Sequence, residues 1–152
     1  MNPLEATQRV LRGEKVEGFP MRLPPPVAST VGFALVAMEK GSAVTRMEAR
    51  VERHANPMGT VHGGILCDLA DAAMGMAVAS TLAQGESFTT LELSMNFLRP
   101  VFDATLEARA RVVHGGKTML YVECDVVTAD GKTVAKSRST ALVLRGEMAK
   151  GR

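Results

Sequence analysis

The stretch from His54 to Ala83 constrains this chain more than any other. Turn residues at Asn56-Pro57 and Gly59 lead into His62-Gly63-Gly64, and a single helical pattern then runs to Ala83, near the stop signal Gln84-Gly85. At 100° per residue, Ile65, Leu69, Ala72, Ala73, Met76 and Ala83 share one face. The opposite face carries Cys67, Asp71, Met74, Val78 and Thr81, apolar apart from one carboxylate. A helix apolar nearly all round needs cover on more than one side, so the pattern predicts a core helix with the domain built around it. A carboxylate expected where solvent is scarce has a partner or a task. Asp71 is therefore the first residue to explain.

His62 is the second. It stands where the helix begins, beside two glycines that permit close approach to the backbone. First-turn amides have no partner inside a helix, and the dipole favours negative charge there. Gly63 or Gly64 N–H thus suits a developing oxyanion. Nine positions separate His62 from Asp71, about 13 Å of rise, with the two side chains on opposite sides of the helix. Within one chain they cannot meet. If they cooperate, a second copy supplies the partner.

The remainder of the chain is strand-rich. Residues 3–12 read as a short amphipathic helix, and 18–27, with Pro20 and Pro24 to Pro26, as an extended arm covering an edge, the alternative being that it walls a pocket. Thr30 to Glu39 is a mostly apolar run ending at Lys40-Gly41. Ser42 to Glu52 alternates, with Ala43, Thr45, Met47, Ala49 and Val51 on one side. Phe88 to Leu98, Ala104 to Val112, Met119 to Thr128 and Thr133 to Leu144 complete the set as a four-strand meander. Strands are grouped rather than alternating with helices, which predicts an α+β fold with an antiparallel sheet. The expected division is a helix and arm over 1–28, one folded domain over 29–145 and a flexible tail over 146–152.

Composition narrows the function classes. A net charge of +2 over 152 residues, without a basic cluster interleaved with aromatics, argues against nucleic acid. No apolar run reaches the roughly 18 residues a bilayer requires, and the first residues do not read as a secretory signal. Cys67 and Cys124 lie in apolar patterns, as reduced core thiols of a cytoplasmic protein do. No metal site is expected, since His54 and His114 fall on a preceding loop and a distant turn. There is no G-x-S-x-G and no phosphate-cradling glycine loop.

The run Asn56-Pro57-Met58-Gly59-Thr60-Val61-His62-Gly63-Gly64, followed by Leu69-Ala70-Asp71, resembles the signature of the hotdog-fold acyl-CoA thioesterases, in the PaaI-like branch of the phenylacetate pathway. Thr90 to Pro100 and the hairpin near Gly115-Gly116-Lys117 resemble that branch too, and the likeness spans roughly 30–145. It implies an antiparallel sheet wrapped around one long central helix, dimerising through sheet and helix, as a homodimer or homotetramer with its sites at the subunit interface. It also implies hydrolysis of an acyl-CoA to free acid and coenzyme A, coenzyme A being part of the substrate and no other cofactor being needed. Asp71 would then act as general base or nucleophile, a task that an apolar surround favours by raising its pKa. His62 and Asn56 would position thioester or water, Gly63 N–H would hold the oxyanion, and Thr90 would orient the water. Gly64, Arg99, Gly116 and Lys117 would meet the substrate, the two bases at coenzyme A phosphates. Asp68 is expected to be structural or capping, and His114-Gly115-Gly116 a tight turn that opens no helix. Two other readings stay open here. One is a hotdog dehydratase or hydratase acting on 3-hydroxyacyl thioesters; the other is a module that binds acyl-CoA without turnover.

Overall fold

A computed structural model describes residues 1–19 and 21–151; Pro20 of the proline-rich stretch and Arg152 at the end of the tail lie outside the described residues. The central element is helix α4, Gly63–Ala79, preceded by α1 (Pro3–Leu11), α2 (Pro26–Val31), β1 (Phe33–Glu39), β2 (Ser42–Ala49) and α3 (Val51–His54). It is followed by β3 (Ser87–Phe97), β4 (Ala104–Gly115), β5 (Met119–Thr128) and β6 (Thr133–Leu144), with a 3-10 turn at Gly146–Ala149. All six strands pair antiparallel in one sheet of order β1-β2-β4-β5-β6-β3. Helix α4 packs chiefly on β2, β4 and β5. The alternation in β2 works as the sequence predicts: Ala43, Thr45, Met47 and Ala49 are buried. Thr45 Oγ1 donates to Leu69 O at 2.8 Å, tying sheet to helix. Leu69 and Leu106 are fully buried, each worth roughly 1.5–3 kcal/mol of hydrophobic stabilisation.

Four local expectations change. The last four strands are not a simple meander, because β3 pairs with β6 rather than β4; the β4 edge it would need is occupied by β2, from Ser42↔Arg111 to Ala49↔Ala104. Residues 26–31 form α2 rather than continuing the arm or starting a strand. Pro26 sits at the first helical position, where its missing N–H costs nothing, and Gly32, at φ 92°, ends the turn. The strand β2 stops at Ala49 because Asp103 accepts from Val51 N at 2.7 Å and His54 Nδ1 accepts from Arg50 N at 3.0 Å, winding the chain into α3. Helix α4 stops four residues before Ala83. Ser80 Oγ donates to Ala77 O and Thr81 Oγ1 to Val78 O, taking carbonyls that a further turn would need.

Two sheet edges remain, and they differ. The β1 side is overlain by α1 and α2. The β3 edge is open, with Leu91 54% and Phe97 55% exposed. Among the described residues, no helix is long and apolar enough to cross a membrane.

Candidate active site

Helix α4 turns Leu66, Leu69, Ala70, Ala73, Met74, Ala77 and Val78 to the core. The opposite strip carries Asp68 and Asp71, both exposed in a single chain. The expectation of scarce solvent around Asp71 therefore fails within one chain. The core face is centred nearer 66/70/73/77 than the pattern from Ile65 suggests, which turns position 71 outward. Asp71 nonetheless lines a cavity of about 420 Å³ with Asp68, Ala72, Met76, Phe33 and Leu35. That apolar surround holds its carboxyl above the usual range, and the charge of Asp68 adds to the effect. Asp68 thus shares the cavity of Asp71 rather than capping a helix end. The signal was present in the sequence, since positions i and i+3 share a helix face. Cys67 is no rival nucleophile: burial first, then Asp68 and Asp71, push its thiol up, and Sγ rests 3.8 Å from Met95 Sδ. Burial pushes Cys124 up to about 12.

At the start of α4, His62 is the N-cap residue. Its Nδ1 accepts from Gly64 N at 2.9 Å, so Nδ1 carries no proton and Nε2 presents an N–H outward. This hydrogen bond commits the Gly64 amide. Gly63 N–H has no acceptor among the described residues and is left open at the helix start. The glycines are also explained differently from the sequence reading, which left room for a ligand or a second chain. A Cβ on Gly63 would meet Phe97 Cζ at 2.7 Å, and one on Gly64 would meet His62 Nδ1 at 2.9 Å. Rings of the same chain fill that space.

Asn56 builds the preceding loop. Its Oδ1 accepts from Met58 N and Thr60 N, and Nδ2 donates to Thr60 Oγ1. With Gly63, Phe97 and Arg99 it lines a second hollow, of about 390 Å³. The two hollows share no lining residue. One chain therefore gathers Asn56, Gly63 and Arg99 at the helix start and leaves Asp71 elsewhere. Thr90 is exposed on the open β3 edge, beside a register shift between Thr90 and Glu92. Gly116 and Lys117 lie exposed in the β4–β5 turn, which opens no helix. His54 is buried between Arg50 N and Val31 O in α3, a structural role. Among the described residues no three His, Cys, Asp or Glu side chains gather as a metal-holding group.

Comparison with known proteins identifies the family and its fold. The family model described as the thioesterase superfamily matches residues 58–135. The acyl-coenzyme A thioesterase PaaI of Escherichia coli is 35% identical over 112 residues, 73% of this chain and 77% of that protein. The 1,4-dihydroxy-2-naphthoyl-CoA hydrolase of Listeria monocytogenes is 31% identical over 114 residues, covering 75% and 92%. A solved structure of the E. coli PaaI protein superimposes with a TM-score of 0.77 at 27% identity, covering 95% of this chain and 94% of that one.

Proposed function

Because the chain belongs to the thioesterase superfamily, with the hotdog fold, and is a thioester hydrolase, we propose that it cleaves an acyl-CoA to free acid and coenzyme A in a site shared by two copies. The observation that carries this reading is the Asp71 carboxylate, lifted in pKa within an otherwise apolar cavity of the central helix. A carboxylate nearer neutrality is a stronger base than a solvated one. Asp71 takes a proton from water as the hydroxyl oxygen adds to the thioester carbonyl. The resulting oxyanion is held by Gly63 N–H of the second copy, with His62 Nε2–H as a further donor. The C–S bond then breaks and the proton passes to sulfur. Thr90 orients the water, while Arg99 and Lys117 attract the phosphates of coenzyme A. Asn56 acts by shaping the loop that precedes the amide donor.

Sharing between copies is supported by helix geometry, which keeps positions 62 and 71 apart in one chain, and by the open β3 edge with its exposed Leu91 and Phe97. A homodimer is the smallest assembly that completes the site, and a homotetramer contains the same pair. Thiol release from a panel of acyl-CoAs, measured for wild type and Asp71→Asn, tests the reading. Turnover by the wild type and loss in the variant are expected. Near-normal turnover by the variant would remove Asp71 from the chemistry.

A further inference from the structure

The cavity that holds Asp71 is built from two kinds of wall. On α4 stand the two carboxylates. Facing them are Val10 and Leu11 of α1 and Leu23, Pro25 and Val27 of the arm and α2, with Phe33 and Leu35 from β1. The hydroxyl of Thr45, which also lines the cavity, is already spent on Leu69 O. On the facing wall the one polar side chain is Thr7 of α1, whose buried hydroxyl has no partner among the described residues, so charge is confined to one side, which suits a ligand with a reacting polar head and a largely apolar body.

The apolar wall is pinned in place. Asn2 caps α1 through Glu5 N, and Gln8 Nε2 donates to Met38 O at 3.0 Å. The Arg53 guanidinium holds the far end, donating to Ser29 O and Thr30 O. Leu11 and Val27 nevertheless stay 40% and 48% exposed. They form an apolar rim left uncovered at the mouth of a fixed pocket. All of these wall residues lie before residue 58, where the match to the family model begins.

We propose that α1 and the proline-rich arm form the acyl-selecting wall of this enzyme, Leu11, Leu23 and Val27 setting which acyl group reaches Asp71. This rests on the reading of Asp71 as the reacting group. A cavity of about 420 Å³ lies toward the small end of small-molecule sites, about 300–1,000 Å³. The substrate class is therefore an apolar acyl group of medium size, aliphatic or with a single ring.

The test is a kcat/KM profile over acetyl-, butyryl-, octanoyl-, palmitoyl- and phenylacetyl-CoA for wild type, Leu23→Trp and Leu11→Trp. Leu11→Trp, at the exposed end of α1, guards against misfolding of the first variant. Wild type is expected to peak at the octanoyl or phenylacetyl substrate. Each Trp is expected to cut that peak about tenfold or more while sparing acetyl-CoA. Binding of free octanoate, read as a thermal shift, should be lost in parallel. Hydrolysis by wild type with profiles unchanged in both variants, or falling equally for acetyl-CoA, overturns the wall and leaves the proposed hydrolysis standing. Octanoate binding that the Trp variants abolish, with no thiol released from any thioester, keeps the wall and sinks the hydrolysis.

Discussion

The two hollows on helix α4 are chemical opposites. The one at its start holds hydrogen-bond donors, the free Gly63 amide and the Arg99 side chain, with the His62 N-cap next in the chain. The one along its outer strip holds two carboxylates on an apolar bed. Thioester hydrolysis needs a base on one side of the carbonyl carbon and donors at its oxygen. Neither hollow contains both. On the proposed reading the difference makes each copy a carrier of two half-sites, which pairing of copies would join.

The strongest blow to this contrast is at the acid. Asp71→Asn keeps size and leaves the core face of α4 untouched, yet it should lower kcat by roughly 10²- to 10⁴-fold, read as thiol release. Mixing comes next. If half-sites from two copies combine, Asp71→Asn and His62→Ala proteins, each weak alone, should regain about a quarter of wild-type activity when co-refolded, because half of the random dimers then hold one intact site. No recovery in a mixture shown to contain hybrids would mean that each chain works alone. At the donor end, Gly63→Ala forces a methyl into the Phe97 ring. Because that ring is exposed and can swing aside, the cost should be under about 1 kcal/mol of stability by chemical denaturation, recovered by adding Phe97→Ala. His62→Ala should lose about 1 kcal/mol as an N-cap. His62→Asn should recover that stability but not the turnover, since it restores the cap without the Nε2–H.

Much of this was legible in the sequence, because period and turn chemistry are local. The alternation of Ala43, Thr45, Met47 and Ala49 announced β2 and its buried face, and His62-Gly63-Gly64 announced the start of α4. Strand order was not legible. Nothing in Phe88 to Leu98 says that β4 has given its free edge to β2. Helix ends were misjudged where side chains intervene: Ser80 and Thr81 claim carbonyls, and Pro26 starts a turn that a count of prolines reads as extended. The rotation of α4 was missed for a different reason. A helix with apolar residues on nearly every side has a weak directional signal, and only the sheet decides which side is inner. The weak signal leaves Asp71 expected where solvent is scarce and Asp68 as a structural or capping group, although positions i and i+3 share a face. The purpose of the glycines was likewise hidden, because Phe97 is 34 positions from Gly63.

The smallest effect probes the acid half-site from within. Burial and then the neighbouring Asp68 raise the pKa of Asp71, and a general base works only when deprotonated. The acid limb of kcat/KM against pH therefore reports the titration of Asp71 in the free enzyme. Asp68→Asn removes the second cause and leaves the first, so the limb should move to lower pH without returning to that of a solvated carboxylate. Activity should rise at acidic pH and change little on the neutral plateau. Stability carries the same sign. The fold holds the proton on Asp71 more tightly than the unfolded chain does, so stability falls as pH rises from the ordinary carboxylate pKa through the raised one. Above that window Asp71→Asn should be slightly more stable than wild type, by less than about 1 kcal/mol because the group is exposed and screened. Added salt should shrink the Asp68→Asn shift, since the charge of Asp68 is screened while the desolvation of Asp71 is not. A limb that stays where it was in Asp68→Asn, at low salt, would mean that the two carboxylates do not share one cavity in the working enzyme.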